Sequence, residues 1–153
     1  MVGCGSIGQG LLPLLLKHTD LTPVRMRLIT ADEGGKDIAA QCEVEFIVEP
    51  LTPENYKKVL NKFLSAGDFL LNLSVDVSSF DLIEYCQKKD VLYIDTSKEL
   101  WPGFSSDPTL SVEERTNYAI REKQLHAREQ YKDGPTAVVS HGANPGLVSH
   151  FVK

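Results

Sequence analysis

Three glycines near the start of the chain have the spacing of a phosphate-binding loop. The segment Gly3-Cys4-Gly5-Ser6-Ile7-Gly8 follows Val2 and opens a leucine-rich stretch. In this pattern the first glycine permits a tight turn, the second lets the main chain approach a pyrophosphate, and the third lets the helix pack closely on the strand. Backbone N–H groups and the helix dipole then face the phosphates. We therefore predict a dinucleotide site contacted by Gly3, Gly5, Ser6, Ile7 and Gly8.

A site of this type also needs an acidic side chain about 20 residues farther on, where it accepts from the ribose hydroxyls. The second predicted strand ends at Thr30, which is not acidic, and Asp32 and Glu33 come just after it. We predict that Asp32 binds the ribose, with a solvated loop carboxylate as the alternative. Arg25 and Arg27 lie within the strand and not after it, so the sequence shows no clear cationic partner for the 2′-phosphate of NADP. NAD is therefore favoured over NADP.

Polar side chains also follow two later predicted strands, at the carboxyl ends where ligands bind in such sheets. Asn72 and Ser74 end one strand and are predicted to line the nicotinamide half of the dinucleotide, with ordinary polar turn groups as the alternative. Asp95 and Thr96 end the next strand and are predicted to bind the cofactor or support that wall. Asp95 can equally anchor a loop or cap a helix.

A carboxylate and an indole stand close together after the fifth predicted strand. Glu99 and Trp101 can seat an organic ammonium by charge and by cation–π contact, and the alternative is that Trp101 fills the core while Glu99 faces water. After the last predicted strand, Asn144 can cap a helix, present its amide to a substrate, or both. No Ser-His-Asp set or metal-binding spacing is found, and hydride chemistry by a bound cofactor would need none of them.

Strand-like and helix-like segments alternate along the chain, which indicates a parallel sheet with crossover helices. We predict an α/β fold of the Rossmann type, with a doubly wound, mainly parallel sheet and helices on both faces. The predicted strands are 1–2, 24–30, 44–48, 69–75, 91–95 and 136–140. The predicted helices are 6–18, 53–66, 79–89 and 111–131, and a last helix begins at Asn144-Pro145.

Composition excludes several classes of protein. The 153 residues carry a net charge of −5 with no basic patch in the sequence, so a nucleic-acid partner is not expected. The apolar run 11–16 is too short for a membrane span and contains Pro13. The 3 cysteines form no C-x-x-C pair, which predicts no metal site and favours reduced thiols in the cytoplasm.

Both ends of the sequence suggest a domain taken from a longer enzyme. Only Met1 and Val2 precede Gly3, where a buried strand of about 5 residues is expected. The chain also stops shortly after its last predicted helix begins. We therefore expect residues 1–145 to form an NAD-binding domain with a truncated first strand. Residues 146–153 are expected to start a helix that leads into a separate catalytic domain.

Four segments together resemble the homospermidine synthases, a family in the saccharopine dehydrogenase-like group, and the similarity runs over nearly the whole chain. They are GCGSIGQGLLPLL, NLSVDVSSFDLIEYC, YIDTSKELWPGF and SHGANPGLVSHFVK. The resemblance implies a transferase that couples two putrescines to homospermidine and releases ammonia. Bound NAD takes a hydride from the first diamine, the second diamine displaces ammonia from the resulting imine, and the NADH reduces the new imine.

The resemblance also implies roles for individual positions. The three loop glycines hold the pyrophosphate, Glu99 and Asn144 line the pocket for putrescine or a related diamine, and Asn72, Ser74, Asp95 and Thr96 lie along NAD. It further implies a cytoplasmic enzyme of polyamine biosynthesis that forms a homo-oligomer when full-length. Two alternatives remain at this point: an NAD-dependent dehydrogenase or reductase of the same group, and a non-catalytic NAD-sensing module.

Overall fold

The computed structural model of the protein describes residues 1–104, 107–143 and 146–152. The strands are β1 (Arg27–Thr30), β2 (Glu45–Val48), β3 (Phe69–Asn72), β4 (Leu92–Asp95) and β5 (Ala137–Val138). The helices are α1 (Ser6–His18), α2 (Lys36–Gln41), α3 (Tyr56–Leu60), α4 (Ser79–Lys89), α5 (Asn117–Gln130) and α6 (Val148–Phe151). Among these described residues, no helix combines the length and the apolar character needed to cross a bilayer.

Val2 occupies the centre of the sheet and joins its two halves. It forms parallel bridges to Ile29 of β1 and to Asn72 of β3. Gly3 donates its N–H to the carbonyl of Ile29 at 2.8 Å, and Leu73 donates to the carbonyl of Val2 at 2.8 Å. The order is therefore β2, β1, Val2, β3, β4, β5 with every pairing parallel, which confirms the predicted doubly wound fold.

The core lies on both faces of the sheet. Leu28 and Ile29 are neighbours on β1, so their side chains point to opposite faces. Leu28 packs with residues of α1 and α2, whereas Ile29 packs with residues of α3 and α4. Helices therefore cover both faces, and the carboxyl ends of all parallel strands share one edge, where α1 begins.

Two predicted helices are shorter in the structure because a local turn comes first. Thr52 and Asn55 bond each other's backbone N–H through their side chains, at 2.8 and 3.3 Å, and the helix starts only at Tyr56. The capping box of Ser111 and Glu114 forms as predicted, with bonds of 2.8 and 3.2 Å, but it closes one turn. The helix α5 begins later, at Asn117, where Thr116 is the N-cap.

Other boundaries also differ from the prediction. Residues 23–25 form a 3-10 turn instead of strand, and only two residues of the predicted strand 136–140 pair with β4. Helix α2 was not predicted. Its N-cap is Gly35, whose left-handed φ of 87° turns the chain just before the helix. Gly146 has a φ of 125°, so no helix runs through it, and α6 starts at Val148. Asn144 and Pro145 lie outside the described residues.

Candidate functional site

The first and third glycines of the loop are required by backbone geometry. Gly3 has a φ of +85°, and a Cβ placed on it would lie 2.6 Å from the backbone nitrogen of Ser74. A Cβ on Gly8 would lie 3.0 Å from the carbonyl oxygen of Gly3. A side chain at either position would push the start of α1 away from the sheet. These contacts are the tight turn and the close packing that the sequence pattern requires.

Gly5 differs from the other two because a Cβ there would meet no protein atom within 4 Å. Gly5 is also the N-cap of the 13-residue helix α1, which has no side-chain cap and no acidic residue in its first turn. The first N–H groups of a helix have no partner within it. Exposed Ser6 and Ile7 thus present backbone donors, beside the positive end of the helix dipole, to an open cradle that fits a pyrophosphate.

The turn after β1 lies against this loop and carries Asp32. Buried Thr30 donates its hydroxyl to the carbonyl of Asp32 at 2.6 Å, and the Oδ1 atom of Asp32 accepts from Gly34 at 2.7 Å. A Cβ on Gly35 would lie 2.5 Å from the sulfur of Cys4, so the turn packs directly on the glycine loop. The exposed Asp32 carboxylate is therefore held beside the loop, where the sequence predicts a ribose.

A buried network of hydrogen bonds connects the ends of three strands. The hydroxyl of Ser74 donates to Oδ1 of Asn72 at 2.5 Å, and Nδ2 of Asn72 donates to the hydroxyl of Tyr93 at 3.2 Å. Tyr93 in turn donates to Oδ2 of Asp95 at 2.8 Å, while Oδ1 of Asp95 accepts from the N–H of Ser140 at 2.5 Å. Sequence reasoning missed Tyr93, whose only signal was its place two residues before Asp95 on one strand face.

This network changes the interpretation of Asn72 and Asp95. Their exposed fractions are 2% and 0%, and their side-chain atoms bond to protein groups. Asp95 is the loop anchor that the sequence left open as an alternative. Burial raises the pKa of its carboxyl, opposed by the bonds from Ser140 and Tyr93. Ser74 and Thr96 are only partly buried and lie at the same edge, so they are the exposed candidates for ligand contact.

Glu99 is fixed to the start of α4 through its main chain. Ser79 donates its N–H to the carbonyl of Glu99, and Glu99 donates its N–H to the hydroxyl of Ser79, both at 3.0 Å. The Glu99 Oε1 atom accepts from Ser97 at 2.8 Å. No ion pair described for residues 1–104, 107–143 and 146–152 includes Glu99 or Asp95. The Glu99 charge further raises the pKa of Asp95, so this corner of the site is electronegative.

Trp101 is a core residue in the structure, not a partner of Glu99. Its indole N–H donates to the carboxylate of Asp81. Its ring packs against Tyr56 with the two centroids 5.6 Å apart and is joined to the core on the α3 and α4 side. The alternative interpretation of Trp101 is therefore correct, and the predicted pairing of Glu99 with Trp101 around an ammonium group is not formed.

The segment after β5 leads to Asn144, the last of the predicted site residues. The N–H of His141 donates to the carbonyl of Asp95 at 2.9 Å, while the exposed imidazole lies 6.1 Å from the ring of His150. Gly142 and Gly146 bridge each other across the segment between them. Asn144 lies outside the described residues, so its role as a substrate-pocket residue stays a prediction.

Other possible sites do not coincide with the glycine loop. The described residues contain no group of three or more His, Cys, Asp or Glu side chains that could hold a metal ion. A cavity of about 700 Å³ lies between α4, α5 and β5, and none of its lining residues belongs to the loop. Within the part of the chain that the structure describes, four buried side-chain atoms have no partner, and all four belong to residues that line this cavity: Gln87, Gln124, Tyr131 and Ser140.

Comparison with known proteins gives one consistent family. The model of the saccharopine dehydrogenase NADP-binding domain matches residues 1–138. Homospermidine synthases from Blastochloris viridis and Mesorhizobium japonicum are 44% and 42% identical to this chain over 100% of its length. The chain covers 33% of the first protein and 32% of the second.

The crystal structure of homospermidine synthase from Legionella pneumophila in complex with NAD superposes on this structure with a TM-score of 0.86 at 38% identity. The alignment covers 99% of this chain and 30% of that one. The chain thus spans about a third of the length of the curated relatives it matches.

The substitution Gly5→Val tests the cradle. Because a Cβ at Gly5 meets no protein atom within 4 Å, the variant should fold normally but fill the space in front of α1. We expect NAD binding to the intact protein to weaken by roughly 100-fold in titration calorimetry. Gly10→Val is the matched control, since Gly10 also has no atom within 4 Å and lies farther along α1. Wild-type affinity in the Gly5 variant would place the nucleotide elsewhere.

Proposed function

This chain belongs to the family of saccharopine dehydrogenase NADP-binding domains, and on that premise we propose that it is the NAD-binding part of a homospermidine synthase. The proposed reaction couples two putrescines to homospermidine and releases ammonia. The observation that carries the proposal is the open cradle at Gly5, found in a chain similar over its whole length to homospermidine synthases. NAD would supply a hydride acceptor that returns the hydride within one cycle, so that no net oxidation occurs.

The chain's own contribution to NAD binding is donors and shape. The backbone N–H groups of Ser6 and Ile7 would hold the pyrophosphate at the start of α1, and Gly3 brings the end of β3 close to that point. Ser74 and Thr96 would contact the nicotinamide half. The side chains of Asn72 and Asp95 are buried. They would support the site indirectly, by holding the turns at Ser74 and Ser140 in place.

The charges around Asp32 favour NAD over NADP, although the family description refers to NADP. The Asp32 carboxylate is exposed and can accept from two ribose hydroxyls, whereas it would repel a 2′-phosphate. Lys36 and Arg27 already have acidic partners. Lys36 pairs with Glu33 at 3.0 Å, and Arg27 pairs with Glu45 at 2.9 Å at the opposite end of β1.

Asp32→Asn should reduce the preference for NAD. Losing a charge-assisted hydrogen bond to the ribose weakens NAD binding by about 10-fold, while NADP binding improves or stays the same. Titration of the intact protein with both nucleotides measures the ratio. The control is Glu33→Gln, which removes an adjacent exposed carboxylate that pairs with Lys36. If the two variants change the ratio equally, Asp32 does not read the ribose.

Glu99 would bind one ammonium group of the diamine. Its carboxylate is partly buried, is held by Ser97, and lies near the buried charge of Asp95. Two carboxyl groups without a cationic partner attract an organic dication more strongly in a partly dry site than in water. Asn144 is proposed as a second substrate-pocket residue on the basis of the family resemblance.

Glu99→Gln should raise the KM for putrescine by about 10-fold or more, because the substrate ammonium loses its charge partner. NAD affinity should remain at the wild-type value, which separates this role from scaffolding. Glu113→Gln, at an exposed carboxylate before α5, is the control and should change neither quantity. Steady-state kinetics and NAD titration provide the two readouts. A parallel loss of NAD affinity would make Glu99 a scaffold residue.

The proposed activity is tested on the intact protein with putrescine and a catalytic amount of NAD. Homospermidine and ammonia should appear in equal amounts while the NADH concentration stays constant. Accumulating NADH without homospermidine would indicate a dehydrogenase of the same group. NAD binding without any turnover would indicate a sensing module, and either result overturns the proposal.

The wider context follows from the same relatives. We propose that residues 1–145 serve as the nucleotide-binding domain and that a separate substrate domain supplies further diamine contacts, as the threefold greater length of the relatives suggests. The free thiols of Cys4, Cys42 and Cys86 fit a cytoplasmic enzyme. A homo-oligomer is proposed for the full-length enzyme.

A further inference from the structure

We propose that Tyr93 is a positioning residue. Its hydroxyl group fixes the position of the glycine loop relative to the turn after β5. Its hydroxyl lies between the ends of β3 and β4 and bonds to one side chain on each strand. The inference rests on the proposed NAD site and deepens it, because it assigns the placement of the two walls of that site to one buried hydroxyl group.

Strand register brings the partners of Tyr93 together. Asn72 is paired with Asp95 across β3 and β4, and Tyr93 precedes Asp95 by two residues, so all three side chains share one face. The Tyr93 side chain is 1% exposed. Its hydroxyl reaches both the amide of Asn72 and the carboxylate of Asp95, at 3.2 and 2.8 Å. One group thus uses its donor and an acceptor position to join two strand ends.

The β3 branch leads to the glycine loop. With Nδ2 committed to Tyr93, Asn72 directs Oδ1 toward Ser74, where it accepts from the backbone N–H at 3.2 Å and from the hydroxyl at 2.5 Å. The Ser74 nitrogen is the atom that approaches Gly3 most closely, 2.6 Å from the position of a Cβ. Any movement of the turn at Ser74 would therefore change the close contact between that turn and Gly3.

The β4 branch leads to the turn after β5. Asp95 accepts from Tyr93 with one oxygen and from the N–H of Ser140 with the other. Ser140 has a φ of 56°, a left-handed conformation that is uncommon for serine and persists where the surroundings impose it. The N–H of His141 donates to the main-chain carbonyl of Asp95 at 2.9 Å. The bond from Ser140, in contrast, persists only while the Asp95 side chain keeps its orientation.

The Tyr93 hydroxyl, with the Ser79 hydroxyl beside it, fixes that orientation. Burial raises the pKa of Asp95, and no described ion pair involves it, so neutral donors must satisfy its carboxyl group. Phenylalanine at position 93 would leave Oδ2 of Asp95 and Nδ2 of Asn72 in the interior without this partner. Asn72 would then rotate to find another partner, and Asp95 would turn toward the hydroxyl of Ser79. The first movement releases Ser74, and the second releases Ser140.

Tyr93→Phe in the intact protein tests the inference, with Tyr85→Phe as the matched control. Tyr85 is 4% exposed, belongs to the same core cluster, and donates its hydroxyl to Asn61 at 3.1 Å, at the end of α3. Both variants should lower the melting temperature. Only the Tyr93 variant should weaken NAD binding, by about 10-fold, and lower kcat with putrescine.

The outcomes separate the inference from the proposed function. A Tyr93 variant that melts lower but binds NAD and turns over as the Tyr85 variant does would make Tyr93 a stability residue only. If the Tyr93 variant does not fold, Asp95→Asn replaces it, because an amide offers one oxygen to the two donors on Tyr93 and Ser140. Wild-type NAD affinity in that variant also overturns the inference. A wild-type protein that binds no NAD overturns the proposed function and the inference together.

Discussion

The backbone N–H groups at the start of α1 are the constraint around which the rest of the site is arranged. They lack a side-chain cap, and Gly5 keeps the space in front of them open. An uncapped helix start is stabilised by a negative group from outside the chain. The left-handed turn at Gly3, the close packing at Gly8 and the central position of Val2 all bring this helix start to the edge where the parallel strands end.

The polar residues at that edge form two groups, one buried and one partly exposed, and the two groups have different roles. Asn72, Tyr93 and Asp95 are buried and bond to one another, so they determine where the turns lie. Ser74, Thr96 and Glu99 are partly exposed at the tips of those turns. The separation is physically sensible because a buried polar group must be satisfied by the protein, whereas a contact group must remain accessible to its ligand. Asp95 ends β4 and Glu99 follows it in the chain, so both carboxyl groups lie on the β4 side of the site, whereas α1 begins just after Val2.

The sequence predicted what depends on local spacing and left open what depends on burial. Three glycines at fixed intervals specify a turn and a helix start, and alternating strands and helices indicate a doubly wound fold, so both were recognisable. The sequence around Asp95 is compatible with a side chain that faces a ligand and with one that faces the interior, because strand alternation does not say which face is buried. Tyr93 and Trp101 acquire their roles from partners far along the chain. The capping box at Ser111 shows the limit of local rules, because its bonds form without extending the helix directly.

The contact between Gly35 and Cys4 has a consequence for how the adenosine side of the site could be observed. Gly35 is the residue that allows the turn carrying Asp32 to lie flat on the Cys4 sulfur, which is buried. Burial raises the pKa of this thiol, so it is a poor nucleophile while the turn is seated. The turn therefore shields the Cys4 sulfur from solvent, so a soluble alkylating reagent can reach it only if this turn moves away.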